Sequence, residues 1–178
     1  MPVREAPLKE TDAGLVPDGD GWFVLNLADA PAHRHARSGA AVVFENRRDA
    51  PFPDFGLNVH VLQPGEPSCR YHSETVQEGF LVLHGEATLI VEEQERQLRA
   101  WDYFHCAPGT HHVIVGAGDG PCAVLMVGLR RDDLELHYPV SEVAAKYDAS
   151  TQEETDTGAV AYRDWERGLT PERMRWPL

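Results

Sequence analysis

The sequence has few of the features that mark secreted or membrane-spanning proteins. Its three cysteines, Cys69, Cys106 and Cys122, are an odd number at wide spacing with no CxxC pair, which argues against a disulfide framework and predicts reduced, mostly buried thiols. The longest apolar run, residues 122–129, is far shorter than the roughly 20 residues that cross a bilayer. The polar start MPVREAPLKE lacks the apolar core of a signal peptide. We therefore expect a cytoplasmic protein with no membrane partner.

Positive charge is also scarce. The chain has 16 Lys and Arg against 29 Asp and Glu, for a formal net charge of −13 that is spread along the sequence. The Lys and Arg residues form no cluster that could contact successive phosphates of a nucleic acid. We therefore expect no nucleic-acid partner. The 178 residues and the hydrophobic fraction of 42% are typical of one globular domain with a real core.

Short strand-like runs separated by turn residues dominate the middle of the chain, from Gly39 to Leu129. Turns are indicated by Pro64-Gly65, His84-Gly85 and Pro108-Gly109, because these residue pairs favour tight turn conformations. Strands repeated about every 8 to 12 residues, with no competing helical period, predict an all-β sandwich or barrel.

The two ends of the chain have a different character. We predict an N-terminal arm and edge strand over residues 1–38, a barrel over 39–130 and a partly helical extension over 131–178. Helices are expected at 141–148, 158–167 and 170–174. In the last of these Thr170 precedes Pro171, and proline suits the first position of a helix because the N–H that it lacks has no partner within the helix there.

Two segments of the barrel carry residue types that bind metals. Side chains alternate between the two faces of a strand, so His72 and Glu74 point to the same side, and Glu78 can rejoin them after a short turn. His112 follows the Pro-Gly turn at 108–109 and can face the same interior from the beginning of its strand. Two imidazoles with one or two carboxylates suit a divalent Fe, Mn, Ni, Co or Zn ion.

The first of these segments resembles the first motif of the cupin superfamily. That motif is Gly, a short gap, His-x-His, three or four residues, Glu, six residues and Gly, and its positions are matched here by Gly65, His72, Glu74, Glu78 and Gly85. Glu74 stands where the family usually has its second histidine, and the gap after Gly65 is one residue longer than usual.

The second segment resembles the second cupin motif, Gly-Asp, a strand and then Pro-x-Gly-x-x-His. It is matched by Asp102, Gly109 and His112, and the spacing from Gly109 selects His112 over His111 as the ligand. Trp101 and Ala107 replace the Gly and the Pro of the family pattern.

The resemblance implies an RmlC-like, all-β, double-stranded β-helix (cupin or jelly-roll) barrel with an N-terminal arm and short C-terminal helices. It also implies one divalent transition metal bound by His72, Glu78 and His112. Glu74 is open to two interpretations: a fourth ligand, which would bring the ligand charge to −2 and reduce Lewis acidity, or a catalytic general base.

The strand that follows Glu78 predicts the wall of a substrate pocket. Phe80 and Val82 share the face of Glu78 in the alternating run GFLVL, so we expect them to line a water-poor pocket for a small, partly hydrophobic ligand. Gly79, Leu81 and Leu83 alternate to the opposite face, and an apolar strip there predicts a homodimer.

Two classes of function fit these expectations. The first is a non-haem metal-dependent oxygenase, or a metal-assisted isomerase or lyase, acting on a small organic molecule. The alternative is a non-catalytic cupin that binds or senses a small molecule. A barrel without metal, in which His72 is an interior histidine and Glu78 pairs with an arginine, is a third possibility, but a buried carboxylate is costly without a cation.

Overall fold

The computed structural model describes residues 2–46, 51–165 and 167–175, and this part of the chain is built mostly from strands. In chain order the elements are β1 Leu8–Glu10, β2 Leu15–Pro17, β3 Ala32–His35, β4 Gly39–Val43, β5 Phe55–Leu62, β6 Ser73–Glu74, β7 Glu78–His84, β8 Glu86–Val91, β9 Gln94–Arg99, β10 Tyr103–Cys106, β11 His112–Ala117, β12 Cys122–Leu129, β13 Leu136–His137, α1 Glu142–Ala145, α2 Gly158–Ala161 and β14 Thr170–Glu172.

Two larger antiparallel sheets form the barrel. The seven-stranded sheet has the order β10-β7-β12-β5-β4-β3-β14, and the three-stranded sheet has the order β11-β8-β9. Val82 of β7, Leu89 of β8 and Ile114 of β11 belong to one buried cluster, so the core lies between the two sheets. Two small sheets, β1-β2 and β13-β6, complete the described strands. The all-β fold expected from the strand rhythm is confirmed.

The alternation of side chains decides what faces the core. In β7, Phe80 and Val82 are buried, whereas Leu81 and Leu83 are only partly buried on the other face. In β11 the residues from His112 to Gly116 are all buried, because this strand is covered on both sides. Ile114 faces the barrel core, and the valines on either side of it pack with buried alanines of the C-terminal segment.

Both terminal segments add strands to the barrel. β3, which lies within the predicted arm, pairs with β4, and β14 pairs with β3 at the edge of the seven-stranded sheet. The prediction of a helix at residues 170–174 is wrong, because Thr170–Glu172 is the edge strand β14. An edge strand tolerates Pro171 since one of its sides has no ladder to complete, so the Thr-Pro signal fits a strand as well as a helix.

The two other predicted helices exist but are short. α1 lies within the predicted 141–148, and the Ser141 side chain caps it by accepting a hydrogen bond from the Ala144 amide. α2 lies within the predicted 158–167. Among the described residues, no helix has the length and apolar character needed to cross a membrane.

Candidate metal centre

Three side chains from separate segments meet inside the barrel. His72 and His112 form an antiparallel bridge, in which each backbone N–H donates to the other residue's carbonyl oxygen at 3.2 and 2.8 Å. Glu78 stands at the first position of β7. One ligand atom from each of the three residues lies within 4.8 Å of the other two, a separation that a small shift of the side chains can close around one cation.

Backbone carbonyl groups orient both imidazole rings. Nδ1 of His72 lies 2.8 Å from the carbonyl oxygen of Arg70, and Nδ1 of His112 lies 3.1 Å from that of Thr110. Each ring can therefore donate its Nδ1–H to the backbone, which leaves the Nε2 lone pair for a metal. Nε2 of His112 faces Oε2 of Glu78 at 3.5 Å.

The carboxylate of Glu78 is buried in the barrel. Its side chain is 12% exposed, and among the described residues no group donates a hydrogen bond to its buried Oε2 atom. Burial, together with the negative charge of Glu74, raises the pKa of Glu78 to about 7. A buried oxygen of this kind is costly unless a cation or a donor meets it, and this fits a bound metal.

The two imidazoles have different electrostatic environments. Burial, with a further contribution from His72, lowers the pKa of His112 to about 3, so this ring is neutral and ready to bind a cation. Burial also opposes the charged form of His72, but the Cys69 sulfur, the Glu74 carboxylate and the Arg70 carbonyl outweigh it and raise the pKa of that ring. Protons therefore compete with a metal more strongly at His72 than at His112.

Glu74 lies beside these three residues rather than among them. Its Oε1 atom is 3.7 Å from Nε2 of His72, and its side chain is 18% exposed. Glu74 is not part of the group whose ligand atoms lie together, but it lines the cavity onto which that group opens. This position suits a base better than a ligand.

Thiol groups next to both histidines were missed by the sequence reasoning, which treated the cysteines as packing residues. All three are free thiols. The Sγ atom of Cys69 lies 3.6 Å from Nδ1 of His72, and that of Cys106 lies 3.4 Å from Nδ1 of His112. The short spacings Cys69-x-x-His72 and Cys106-x₅-His112 were the available signal.

A cavity of about 270 Å³ opens onto the three residues. Phe80, Met126 and Leu134 are among the residues that line it. Val82 is fully buried in the adjoining core cluster and is not among the lining residues, because Phe80 lies between it and the cavity end of β7. The wall contributed by β5 carries two polar side chains that the sequence reasoning did not select, Asn58 and His60.

Comparison with known proteins agrees with the geometry. Residues 58–128, which include both ligand segments, match the protein family described as Cupin domain. These residues form a cupin domain. The strand order and the two motifs both agree with this family. The RmlC-like double-stranded β-helix expected from the resemblance is confirmed.

Two solved structures show how far the cupin fold extends. A sugar phosphate isomerase of the cupin superfamily from Silicibacter pomeroyi is 21% identical, with a TM-score of 0.58 over 65% of this chain and 81% of that chain. The polyketide cyclase RemF from Streptomyces resistomycificus is 16% identical, with a TM-score of 0.54 over 64% of this chain and 83% of that chain. At such identities the likeness shows a shared fold alone.

A curated relative matches at the level of sequence. Human Syntaxin-16 is 32% identical over 104 residues, which are 56% of this cupin and 30% of that protein. The chain therefore spans less than a third of the length of this relative.

The buried Glu78 carboxylate leads to a prediction about stability. In metal-free protein at pH 8, Glu78→Gln should raise the free energy of unfolding by roughly 3 kcal/mol, with little effect at pH 5. The folded-state pKa of about 7 lies above the ordinary 4.5. The stability that comes from protonated Glu78 is therefore fully present below about pH 4.5 and is lost as the pH rises through 7. Urea denaturation in the presence of a chelator measures the difference.

The matched control is Glu135→Gln, which removes an exposed carboxylate and should leave the stability unchanged at both pH values. If Glu78→Gln were neutral or destabilising at pH 8, the carboxylate would be satisfied by some other group in the metal-free protein.

Proposed function

We propose that this cupin is a metal-dependent enzyme that moves a proton on a small oxygen-bearing organic molecule, as an isomerase or lyase does. One observation carries the proposal: the three ligand side chains and the separate Glu74 carboxylate line the same cavity. Three protein ligands leave coordination positions open for a substrate. Glu74 supplies a proton acceptor next to those positions.

His72, Glu78 and His112 would bind one divalent transition metal, drawn from Fe, Mn, Ni, Co or Zn. Their ligand set has two neutral nitrogens and one carboxylate, which all of these metals accept. When bound, the ion acts as a Lewis acid that polarises a carbonyl or hydroxyl oxygen of the substrate. The Arg70 and Thr110 carbonyl groups keep both rings in the required orientation.

Glu74 would act as the general base. Its carboxylate would take a proton from the carbon next to the carbonyl group. In an isomerisation it returns that proton to the former carbonyl carbon, while the proton of the neighbouring hydroxyl group moves to the former carbonyl oxygen. In an elimination it gives the proton to the departing oxygen. The side chain is only 18% exposed, and the apolar Phe80 and Met126 on the cavity wall limit access of water that would compete for the proton.

Oxygen chemistry is the second candidate, favoured by the identity of the ligands. Two histidines and one carboxylate also form the ligand set of non-haem iron(II) oxygenases. Iron in the purified protein and consumption of oxygen would support this candidate. A non-catalytic cupin that binds or senses a small molecule needs neither iron nor Glu74.

The proposal predicts that Glu74→Gln lowers proton transfer at least about 100-fold while metal content stays unchanged. Hydroxyacetone serves as the probe, because its carbonyl and hydroxyl oxygens are adjacent and its exchangeable C–H protons can be followed by proton NMR in heavy water. Zinc-loaded wild-type protein should speed the exchange, and metal-free protein should not.

Glu135→Gln is the control, because that carboxylate is exposed and lies outside the cavity that holds the three ligands. Exchange that proceeds at the wild-type rate in the Glu74→Gln variant would remove Glu74 from proton transfer. A zinc-loaded wild type that gives no exchange would favour the non-catalytic alternative.

We also propose that the protein forms a homodimer in the cytoplasm. A groove of about 470 Å³ on the outer face of β7, β10 and β12 includes Leu81 and Val127, and it is bordered by Tyr103, 61% exposed, and Leu129, 46% exposed. The predicted strip is covered in part by the chain itself, because Leu83 packs against a cluster that adjoins the N-terminal arm. The remaining apolar surface suits a second copy related by a two-fold axis.

Light scattering should therefore report a dimer at micromolar concentration, and Leu81→Glu should yield a monomer with unchanged metal content. A wild-type monomer would contradict the proposal.

A further inference from the structure

We propose that Asn58 recognises the end of the substrate that is remote from the metal, and that this end carries a hydrogen-bond donor, an N–H or O–H group. The inference rests on the proposed function, because the metal is taken to hold the other end through neighbouring oxygen atoms. The substrate class is then a small hydroxy-carbonyl compound with an additional donor group.

The position of Asn58 in the barrel supports a role in binding. β5 is an internal strand of the seven-stranded sheet, between β12 and β4. Val59 and Val61 face a buried apolar cluster on one side of the strand, whereas Gly56, Asn58 and His60 line the metal cavity on the other side. An amide therefore occupies an interior position of the barrel, facing the same space as the ligand residues.

The amide of Asn58 has no protein partner in the described part of the chain. Its Oδ1 atom is buried and accepts no hydrogen bond there. The residues opposite Asn58 on the two neighbouring strands are Met126 of β12 and Val43 of β4, and neither side chain can donate a hydrogen bond. An unsatisfied buried acceptor costs about 1–3 kcal/mol, so a bound molecule that donates to it gains affinity.

Two glycines keep the cavity open beside the ligand carboxylate Glu78. Gly56 and Gly128 are opposite each other in the β5–β12 ladder, and both line the cavity. A Cβ atom at Gly128 would lie 3.7 Å from Oε1 of Glu78, so side chains here would narrow the space next to the ligand carboxylate. With a volume of about 270 Å³, the cavity is smaller than the roughly 300–1,000 Å³ of drug-sized sites and suits a single small ring or a short chain.

The test compares two chelators in cobalt-loaded protein. Maltol, a hydroxypyranone, binds metals through adjacent hydroxyl and carbonyl oxygens. The matching hydroxypyridinone differs only in having a ring N–H in place of the ring oxygen, at the end opposite the carbonyl group. Changes in the visible absorption of cobalt give a dissociation constant for each probe, and the ratio of the two constants is compared between variants.

The ratio should favour the hydroxypyridinone in the wild type and should shift by about tenfold toward maltol in Asn58→Leu, which has a similar volume and no acceptor. Asn58→Asp, which keeps an acceptor oxygen, should retain the wild-type preference. Glu135→Gln, an exposed position outside this cavity, is the control and should leave the ratio unchanged. Comparing ratios cancels the different intrinsic affinities of the two probes for cobalt.

The outcomes separate this inference from the proposed function. If both probes change the cobalt spectrum but their ratio is the same in wild type and Asn58→Leu, the role of Asn58 is overturned and the metal site stands. If neither probe changes the spectrum of cobalt-loaded wild type, the metal has no open positions facing the cavity, and the proposed function fails with the inference.

Discussion

His112→Ala is expected to abolish stoichiometric metal binding and to weaken the affinity for a divalent transition metal more than about 100-fold. Losing a residue that merely supports a ligand costs 10–100-fold, and His112 would supply one of only three ligand atoms. Its side chain is 2% exposed, and its pKa is lowered to about 3, so the alanine variant loses a buried, neutral nitrogen ligand. Elemental analysis and competition with a coloured chelator measure the loss.

The adjacent histidine provides the control. His111 lies one residue away, its side chain is 29% exposed, and its Nδ1 atom faces Glu92 at 3.7 Å rather than Glu78. His111→Ala should retain one metal ion per chain with wild-type affinity. The account would be contradicted if the two variants bound metal equally well or if His111→Ala were the one that lost it.

Arg70→Met should lower the free energy of unfolding by about 3 kcal/mol. The Arg70 side chain is only 1% exposed, and its guanidinium donates to the carbonyl oxygens of Asp148 and Ser150 at 3.0 and 2.6 Å and to Asp164 at 2.5 Å. It also lies 4.6 Å from the centre of the Trp165 ring. Methionine fills part of the volume but leaves the two carbonyl oxygens without donors.

Chemical denaturation measures this loss, and Arg163→Met is the comparison. Arg163 pairs with Glu153 at 2.7 Å, but the two side chains are 47% and 55% exposed, and exposed pairs contribute little. Equal stability losses in the two variants would show that Arg70 does not hold the C-terminal segment on the barrel. The backbone segment that the Arg70 side chain anchors also carries the carbonyl that orients His72, so a shift of this segment should weaken metal binding in Arg70→Met and not in Arg163→Met.

Much of the barrel could be predicted from local sequence patterns. The run at Glu78–His84 alternates buried and partly buried residues, and the Pro-Gly pair at 108–109 separates β10 from β11. The spacing within each motif selected His72, Glu78 and His112, whose ligand atoms lie together in the structure. These features depend on strand periodicity and turn chemistry, which are readable over a few residues.

The rest depends on which distant segments meet. Thr170 and Pro171 form a strand because the edge of β3 is available to pair with them, and no local pattern reports that. Asn58 and Met126 face each other through a ladder between strands far apart in sequence, so the polar wall of the cavity was not visible. Val82 was predicted to line the pocket only because side chains alternate along the strand. That alternation shows which face of the strand a residue is on, but not how far from the cavity it lies.

The most direct measurement of the central claim is an anomalous-scattering map from a crystal of the protein grown with cobalt. The account predicts a single strong peak about 2.0–2.2 Å from Nε2 of His72, Nε2 of His112 and a carboxylate oxygen of Glu78. A peak elsewhere in the molecule, or a cavity without cobalt at saturating concentration, would contradict it.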